Sequence, residues 1–464
     1  MTDTMRHDPL SARAAPSALP RLPWSVATRV GYGLYQVAAH LLLPAALILV
    51  ARRARREPLY RANLRHRFGL LPRVAPGGIW VFAASLGETR AVTPLLRELI
   101  ARGHRIVLSH SAPAGLEEGR RQFGQEIADG RLVQTYMPVD VFWALRLALR
   151  RIRPVLALVV EAEIWPAHIV ASLRAGVPVV KVNANLTERA FLRDGATRAG
   201  RLRLFFLRGL SRVLTKTPAH IDRYSRAGVD PSRIVMVGEL KFDLPLRDDL
   251  IRRARELCPT LTGTRAVWMI ASSIEAEEED LHRAIRALHD RLSLPPLVVW
   301  APRSPQRFGA VARRLAADGW TVGRRSEIWS DDFQGEAPAG LDVLVADSLG
   351  EMDFSYALAD VVFVGATLAD MGGHNVNEPL ALERPVVTGP SVYAIPAPAE
   401  DAIRCGALRV CGDGAELAET LVSLFGDPDA LTEFRARAAG LTEKHLGAAR
   451  RSADALLCLG VNRG

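Results

Sequence analysis

Val361-Val362-Phe363-Val364, then Gly372-Gly373-His374-Asn375-Val376-Asn377-Glu378-Pro379, then Pro385-Val386-Val387-Thr388 make one compact unit. The first run reads as a buried strand, the small residues as a turn, Glu378-Pro379 as the start of a helix, and the last run as a second strand. Proline suits a first helical position, because the N–H it lacks is unpaired there anyway. Adjacent glycines let backbone approach a ligand closely, and a helix start offers N–H groups to an anion. Glu378 would repel a phosphate at that helix start and is better suited to sugar hydroxyls. The unit therefore reads as a nucleotide-sugar pocket.

The same alternation extends outward. Upstream, strands are expected at Ile79 to Ala84, Ile106 to Ser109, Val155 to Glu161, Val177 to Val182, Val213 to Lys216 and Ile234 to Val237, with helices at Thr93 to Arg102 and Leu116 to Phe123. After a break around Phe242 to Asp249, a second series follows: Ala266 to Ala271, Leu297 to Ala301, Thr321 to Arg324, Val343 to Ala346, then the opening unit. Short apolar runs separated by helix-length segments indicate parallel sheets with right-handed crossovers. The fold class is α/β, with two doubly wound Rossmann-like domains facing a central cleft, at residues 57–243 and 244–464. Thr432 to Leu459 reads as a helical tail of the second domain.

A chain of 464 residues with 49% apolar and 24% charged residues fits two globular domains. Residues 1–73 hold 12 Arg and 3 acidic residues, nearly all of the formal +10. The remainder is close to neutral, which excludes a broad nucleic-acid surface. Val30 to Ala51 carries no formal charge and runs into Arg52, Arg53, Arg55 and Arg56. That segment, within 23–56, is expected to attach to a membrane, as a span or as an interfacial helix, with the arginines on the cytoplasmic side. Residues 1–22 read as a disordered lead-in. Cys258, Cys405, Cys411 and Cys458 have no metal or CxxC spacing and fit a reducing compartment. No metal constellation is evident.

Candidate site residues fall at expected strand ends. Ser85-Leu86-Gly87-Glu88 has capping-box spacing, yet Gly87 leaves room beside a carboxylate at a strand's carboxyl edge. Glu161 and Glu163, two apart, would face one side of a continuing strand, and their mutual repulsion would raise at least one pKa. Lys241 sits near the domain junction, where it is either a surface lysine or a cation for a phosphate or carboxylate. Ser272 and Ser273 cap a helix rich in acids and are candidates for phosphate. Arg303 follows a strand and suits a forked grip on phosphate, and the backbone of Leu349 and Gly350 is placed to read a base edge.

In this order, Ser85 to Glu88, Glu161 to Pro166, Asn183 to Arg189, Gly238 to Asp243, Pro302-Arg303, Asp347 to Glu351 and Gly372 to Pro379 resemble the 3-deoxy-D-manno-octulosonic acid (Kdo) transferases, over roughly Leu34 to Val410. The resemblance implies a GT-B glycosyltransferase that is metal-independent and needs no cofactor beyond its donor substrate, CMP-Kdo. It implies inverting transfer of Kdo to a lipid A precursor in lipopolysaccharide biosynthesis, at the cytoplasmic face of the bacterial inner membrane. On that mapping Glu88 is the general base. Lys241, Arg303 and the Gly372-Gly373 turn stabilise the departing CMP phosphate, Asn375 and Glu378 hold the ribose, and Leu349-Gly350 the cytosine. The chain departs from the family pattern at Ile274 and Ser391 (usually His), Ala276 (Gly), Ala162 (Thr), Ala167 (Asn) and Asn185 (Arg). A paralogue with another donor or acceptor, a sugar-nucleotide epimerase and a non-catalytic membrane assembly protein are the competing readings.

Overall fold

Strand runs such as Leu156-Ala157-Leu158-Val159-Val160 are apolar without interruption, and every residue in that run is buried. Only a strand covered on both faces needs such a sequence, so a parallel sheet between helical layers follows. The computed structural model of the chain describes residues 19–459, and the lead-in expected over 1–22 lies almost wholly outside them. Contacts divide the chain into two units, one running to Leu244 and resuming at Gly447, the other Pro245–Leu446.

The first unit holds β1 (Ile79–Phe82), β2 (Ile106–His110), β3 (Leu132–Tyr136), β4 (Leu156–Val160), β5 (Val179–Ala184), β6 (Arg212–Thr215) and β7 (Ile234–Met236). They form one sheet in the order β3-β2-β1-β4-β5-β6-β7, and every pairing is parallel. Successive residues of β1 serve opposite cores: Trp80 and Phe82 pack on one face, Ile79 and Val81 on the other. The chain reverses its winding direction between β1 and β4, and ligands of open α/β sheets bind at the carboxyl ends of strands at such a point.

The second unit repeats the plan with β8 (Val267–Ser273), β9 (Leu297–Pro302), β10 (Val322–Arg324), β11 (Val343–Val345), β12 (Val361–Val364), β13 (Val386–Thr388) and β14 (Leu408–Val410). Its order is β10-β11-β9-β8-β12-β13-β14, again all parallel, with the switch between β8 and β12. Edge strands β3 and β14 were not among the sequence expectations.

The tail expected over Thr432 to Leu459 breaks into two helices, Pro428–His445 and Ala448–Leu457. The last one corrects the domain assignment, because it packs on the first unit. Ala448, Ala449, Ala453 and Leu456 enter the core of the first sheet. Asp243 accepts the Gly447 and Ala449 N–H groups at 2.7 and 2.6 Å. Gly447 makes the turn with φ of +79°, a value that favours glycine.

Helix α1 (Val26–Arg53) is capped by Ser25 and is long and apolar enough to cross a membrane. One side is tied to the first unit: Tyr35 donates to Asp140 at 2.6 Å, Gln36 accepts the Phe142 N–H at 3.0 Å, and the Trp143 indole donates to His40 at 3.0 Å. Val26, Val30, Leu34, Val37, Leu41 and Ile48 are exposed. Their spacing puts them along a single stripe of the helix.

Candidate active site

In the first unit, β1 runs into Ser85, whose hydroxyl accepts the Glu88 N–H at 3.2 Å and opens the helix Leu86–Ala101. The capping box is incomplete. Glu88 Oε2 accepts the N–H of Ala84, not that of the cap residue, and among the described residues Oε1 accepts none. A side chain at Gly87 would meet only the Ser85 hydroxyl, at 3.9 Å, so there is room beside the carboxylate. Glu88 is 8% exposed. Burial raises its pKa from 4.5 to about 7; the charge of Glu163 adds to the rise, while the Ala84 N–H and Lys181 oppose it. A carboxyl poised near neutrality is suited to proton transfer.

Glu161 and Glu163 do not share a strand face as expected. β4 stops at Val160, and Glu161 turns the backbone with φ of +51°, so strand alternation ends there. Glu161 instead joins a cluster of lysines and carboxylates. Lys241 lies 3.1 Å and Lys216 3.6 Å from Glu161, and Lys216 is 2.8 Å from Glu239. Asn183 donates to Glu161 at 3.2 Å and to Glu239 at 2.8 Å. Burial would raise both carboxyls, but Lys216 and Lys241 overcome it and hold them below the usual carboxylate range. The expected repulsion is therefore felt at Glu88, not at Glu161. Lys241 is paired, and the two carboxylates hold its pKa up against burial.

Sequence reasoning missed Lys181, Lys216, Asn183 and Glu239. Lys181 gave a signal, being a lysine in the apolar β5 run. It is 1% exposed and donates to the Glu163 carbonyl, and burial lowers its pKa to about 7. The others become neighbours only once β4, β5, β6 and the turn after β7 lie side by side.

In the second unit, β12 ends at Val364 opposite Ala271, and β8 runs on to Ser273. A Cβ on Gly365 would sit 2.4 Å from the Ser272 carbonyl oxygen, so only glycine fits there. Ser272 has φ of +56°. Ser273 turns inward, its hydroxyl accepting the Trp300 indole N–H at 2.8 Å, which removes it from a ligand-facing surface. Buried Glu277 accepts the N–H groups of Ala366, Thr367 and Leu368 at 2.7–2.8 Å, anchoring the loop after β12.

Gly372 and Gly373 have φ of +87° and +86°. The Gly372 N–H donates to Ser391 Oγ at 2.9 Å. The helix that follows is only Asn377–Ala381, so Pro379 is its third residue, not its first. Asn375 Oδ1 already takes the Asn377 N–H at 3.0 Å, which leaves less of that helix start for an anion than expected. Glu378 accepts from Asn375 at 3.0 Å and bonds the buried Tyr356 hydroxyl. Arg303 is exposed at the end of β9 and forms no ion pair among the described residues; its charge depresses His374 in addition to burial. Arg307 is held by Glu275 and Glu278. After β11, Glu351 is gripped by Arg325, which follows β10, through two 2.8 Å bonds, while Leu349 is 79% exposed and Gly350 has φ of +83°. These two residues line a cavity of 630 Å³ within this unit. Among the described residues no group of three His, Cys, Asp or Glu is arranged to hold a metal ion.

Comparison with known proteins follows the same lines. Residues 62–244 match the family described as 3-deoxy-D-manno-octulosonic-acid transferase (kdotransferase). A 3-deoxy-D-manno-octulosonic acid transferase of Bordetella pertussis is 36% identical, covering 92% of this chain and 99% of that protein. The chain belongs to this family. The Haemophilus influenzae Kdo transferase is 30% identical over 76% of this chain and 81% of its own length. A UDP-N-acetylglucosamine 2-epimerase structure, 13% identical, covers 85% of this chain and 98% of its own with a TM-score of 0.55, a likeness of fold alone. The two parallel sheets give the chain a GT-B-like fold, and its family is one of glycosyltransferases.

Proposed function

We propose that this Kdo transferase moves Kdo from CMP-Kdo to a hydroxyl of a lipid A precursor with inversion, and that Glu88 is the general base. The carrying observation is Glu88 itself, buried at the switch point of the first sheet, with one oxygen that accepts no hydrogen bond among the described residues and a pKa raised to about 7. Its carboxylate takes the acceptor proton, and the freed oxygen attacks the anomeric carbon. The bond from that carbon to the phosphate oxygen breaks, and CMP leaves with the electron pair. On the second unit, Arg303 and the Gly372-Gly373 turn receive the phosphate, Glu378 and Asn375 the ribose, and the backbone at Leu349-Gly350 the cytosine. Pre-set cations and N–H groups stabilise charge as it develops on the leaving phosphate, in place of a metal.

The same reading places the enzyme on the cytoplasmic face of the inner membrane, through α1. Because Tyr35, Gln36 and His40 are bonded to the first unit, the helix can stay docked and turn its bare apolar stripe to the lipid. The test is incubation of purified protein with CMP-Kdo and tetraacylated lipid A precursor, with excess chelator present, followed by weighing of the lipid. A mass gain of one or more Kdo units is expected. No gain with wild-type protein that still binds CMP would refute the acceptor assignment.

A further inference from the structure

The helix Phe142–Ile152 ends in Arg150 and Arg151, and the helix Pro166–Arg174 ends in Arg174. Both C-termini lie at the amino edge of the first sheet, where Arg153-Pro154 lead into β4 and Val177 into β5. Glu161, after β4, and Glu88, after β1, are at the opposite, carboxyl edge of the same sheet, a strand length away, roughly 16 Å for five residues. At the amino edge Arg146, Arg150, Arg153 and Arg174 surround a hollow of 620 Å³ whose lining is otherwise apolar, with no acid. A second hollow of 330 Å³ shares Arg150 and Arg153 and adds Arg73 and Arg151.

None of these six arginines forms an ion pair among the described residues. Arg151 is fixed to the Leu71 carbonyl, and Arg174 lies over the Phe142 ring at 4.9 Å. A helix dipole accounts for a cation at one C-terminus. It does not account for two C-termini, Arg146 and Arg153 converging on one acid-free concavity. Arg153 also holds φ of +42°, where glycine or asparagine would fit with less strain. Guanidinium groups around a hollow match the oxygens of a phosphate. Phe142, on the rim, donates its N–H to Gln36 of α1, so the hollow borders the proposed lipid-facing helix.

We infer that this amino-edge hollow is a phosphate-binding site separate from the transfer site, filled by phosphate headgroups of the lipid surface beside α1. Only the choice of a lipid source rests on the membrane reading of α1. The test compares full-length wild type, Arg146→Gln/Arg150→Gln/Arg174→Gln, and the equal-charge control Arg97→Gln/Arg120→Gln/Arg131→Gln. Each is sedimented with phosphatidylcholine vesicles, with and without phosphatidylglycerol, and titrated calorimetrically with glycerol phosphate.

The pocket variant should lose roughly tenfold or more of the affinity gained from phosphatidylglycerol. Its binding to phosphatidylcholine, its melting temperature and the control's affinities should be unchanged. Calorimetric binding of glycerol phosphate that the pocket variant abolishes would support the site with a soluble ligand. Two results would overturn the inference: equal losses in pocket variant and control, or no difference between wild type and pocket variant with either probe. Failure of α1 to bind phosphatidylcholine would count against the membrane reading alone.

Discussion

The two sheets are built alike, yet their carboxyl edges are furnished in opposite ways. The first ends in Glu88, Glu161, Lys181, Lys216, Glu239 and Lys241, charges that are buried or paired side by side. The second ends in glycines at positive φ, backbone N–H groups tied down by Glu277, and Arg303, which forms no ion pair among the described residues. A dense charge network is suited to tuning protonation; a backbone turn beside an exposed cation is suited to an anion. On the proposed reading, the same topology serves proton chemistry in one unit and nucleotide binding in the other.

Glu88→Gln tests the first half of that contrast most severely. Transfer should fall roughly 100- to 10 000-fold, while CMP affinity stays as in wild type. The variant should also be more stable at pH 8. A carboxyl whose pKa is about 7 in the fold and 4.5 unfolded favours the fold below 4.5, and that contribution is lost as pH rises through 7. Glutamine removes the burden of a buried charge, worth about 3 kcal/mol at most. The gain in urea midpoint should disappear at pH 4.5; an equal gain at both pH values would contradict the raised pKa.

Within the network, Lys216→Met leaves Glu239 as a buried carboxylate with a weakened partner set and should cost about 3–5 kcal/mol of stability. Adding Glu239→Gln should restore part of the loss in the same denaturation measurement. Strict additivity of the two substitutions would show that they do not act as a pair. Arg303→Gln probes the other unit: CMP should bind about 10- to 100-fold more weakly, the worth of one charged hydrogen bond. Its pH–rate profile should keep the wild-type acid limb, since Arg303 belongs to the nucleotide-binding half. A moved limb would blur the division of labour.

Much of this was legible in the sequence because buried parallel strands leave an unambiguous trace, and Leu156–Val160 or Val361–Val364 have few alternatives. Leu132–Tyr136 escaped because Gln134 and Thr135 interrupt its apolar run at the sheet edge, and Leu408–Val410 because three residues around Arg409 carry too little pattern. The positive φ of Glu161 leaves no mark in residue type, so the paired-carboxylate expectation went wrong there. The last helix was assigned to the wrong unit for a different reason. Periodicity shows that a helix has an apolar face, not which core that face will meet.

The smallest effect is the most discriminating. If Glu163 raises the Glu88 pKa by its charge and Lys181 lowers it by the opposite charge, then removing each should move the acid limb of transfer in opposite directions. In Glu163→Gln the limb should shift below pH 7, toward the ordinary carboxylate value, leaving more Glu88 ionised at pH 6 and transfer there faster relative to pH 8. In Lys181→Met it should shift above 7, with relatively slower transfer at neutral pH. Both variants keep the Glu88 carboxylate, so the plateau rate at high pH should change far less than the position of the limb. A structural defect would lower the plateau and leave the limb in place. Opposite shifts around an intact plateau would show that Glu88 is the titrating base and that its neighbours set the pH at which it works.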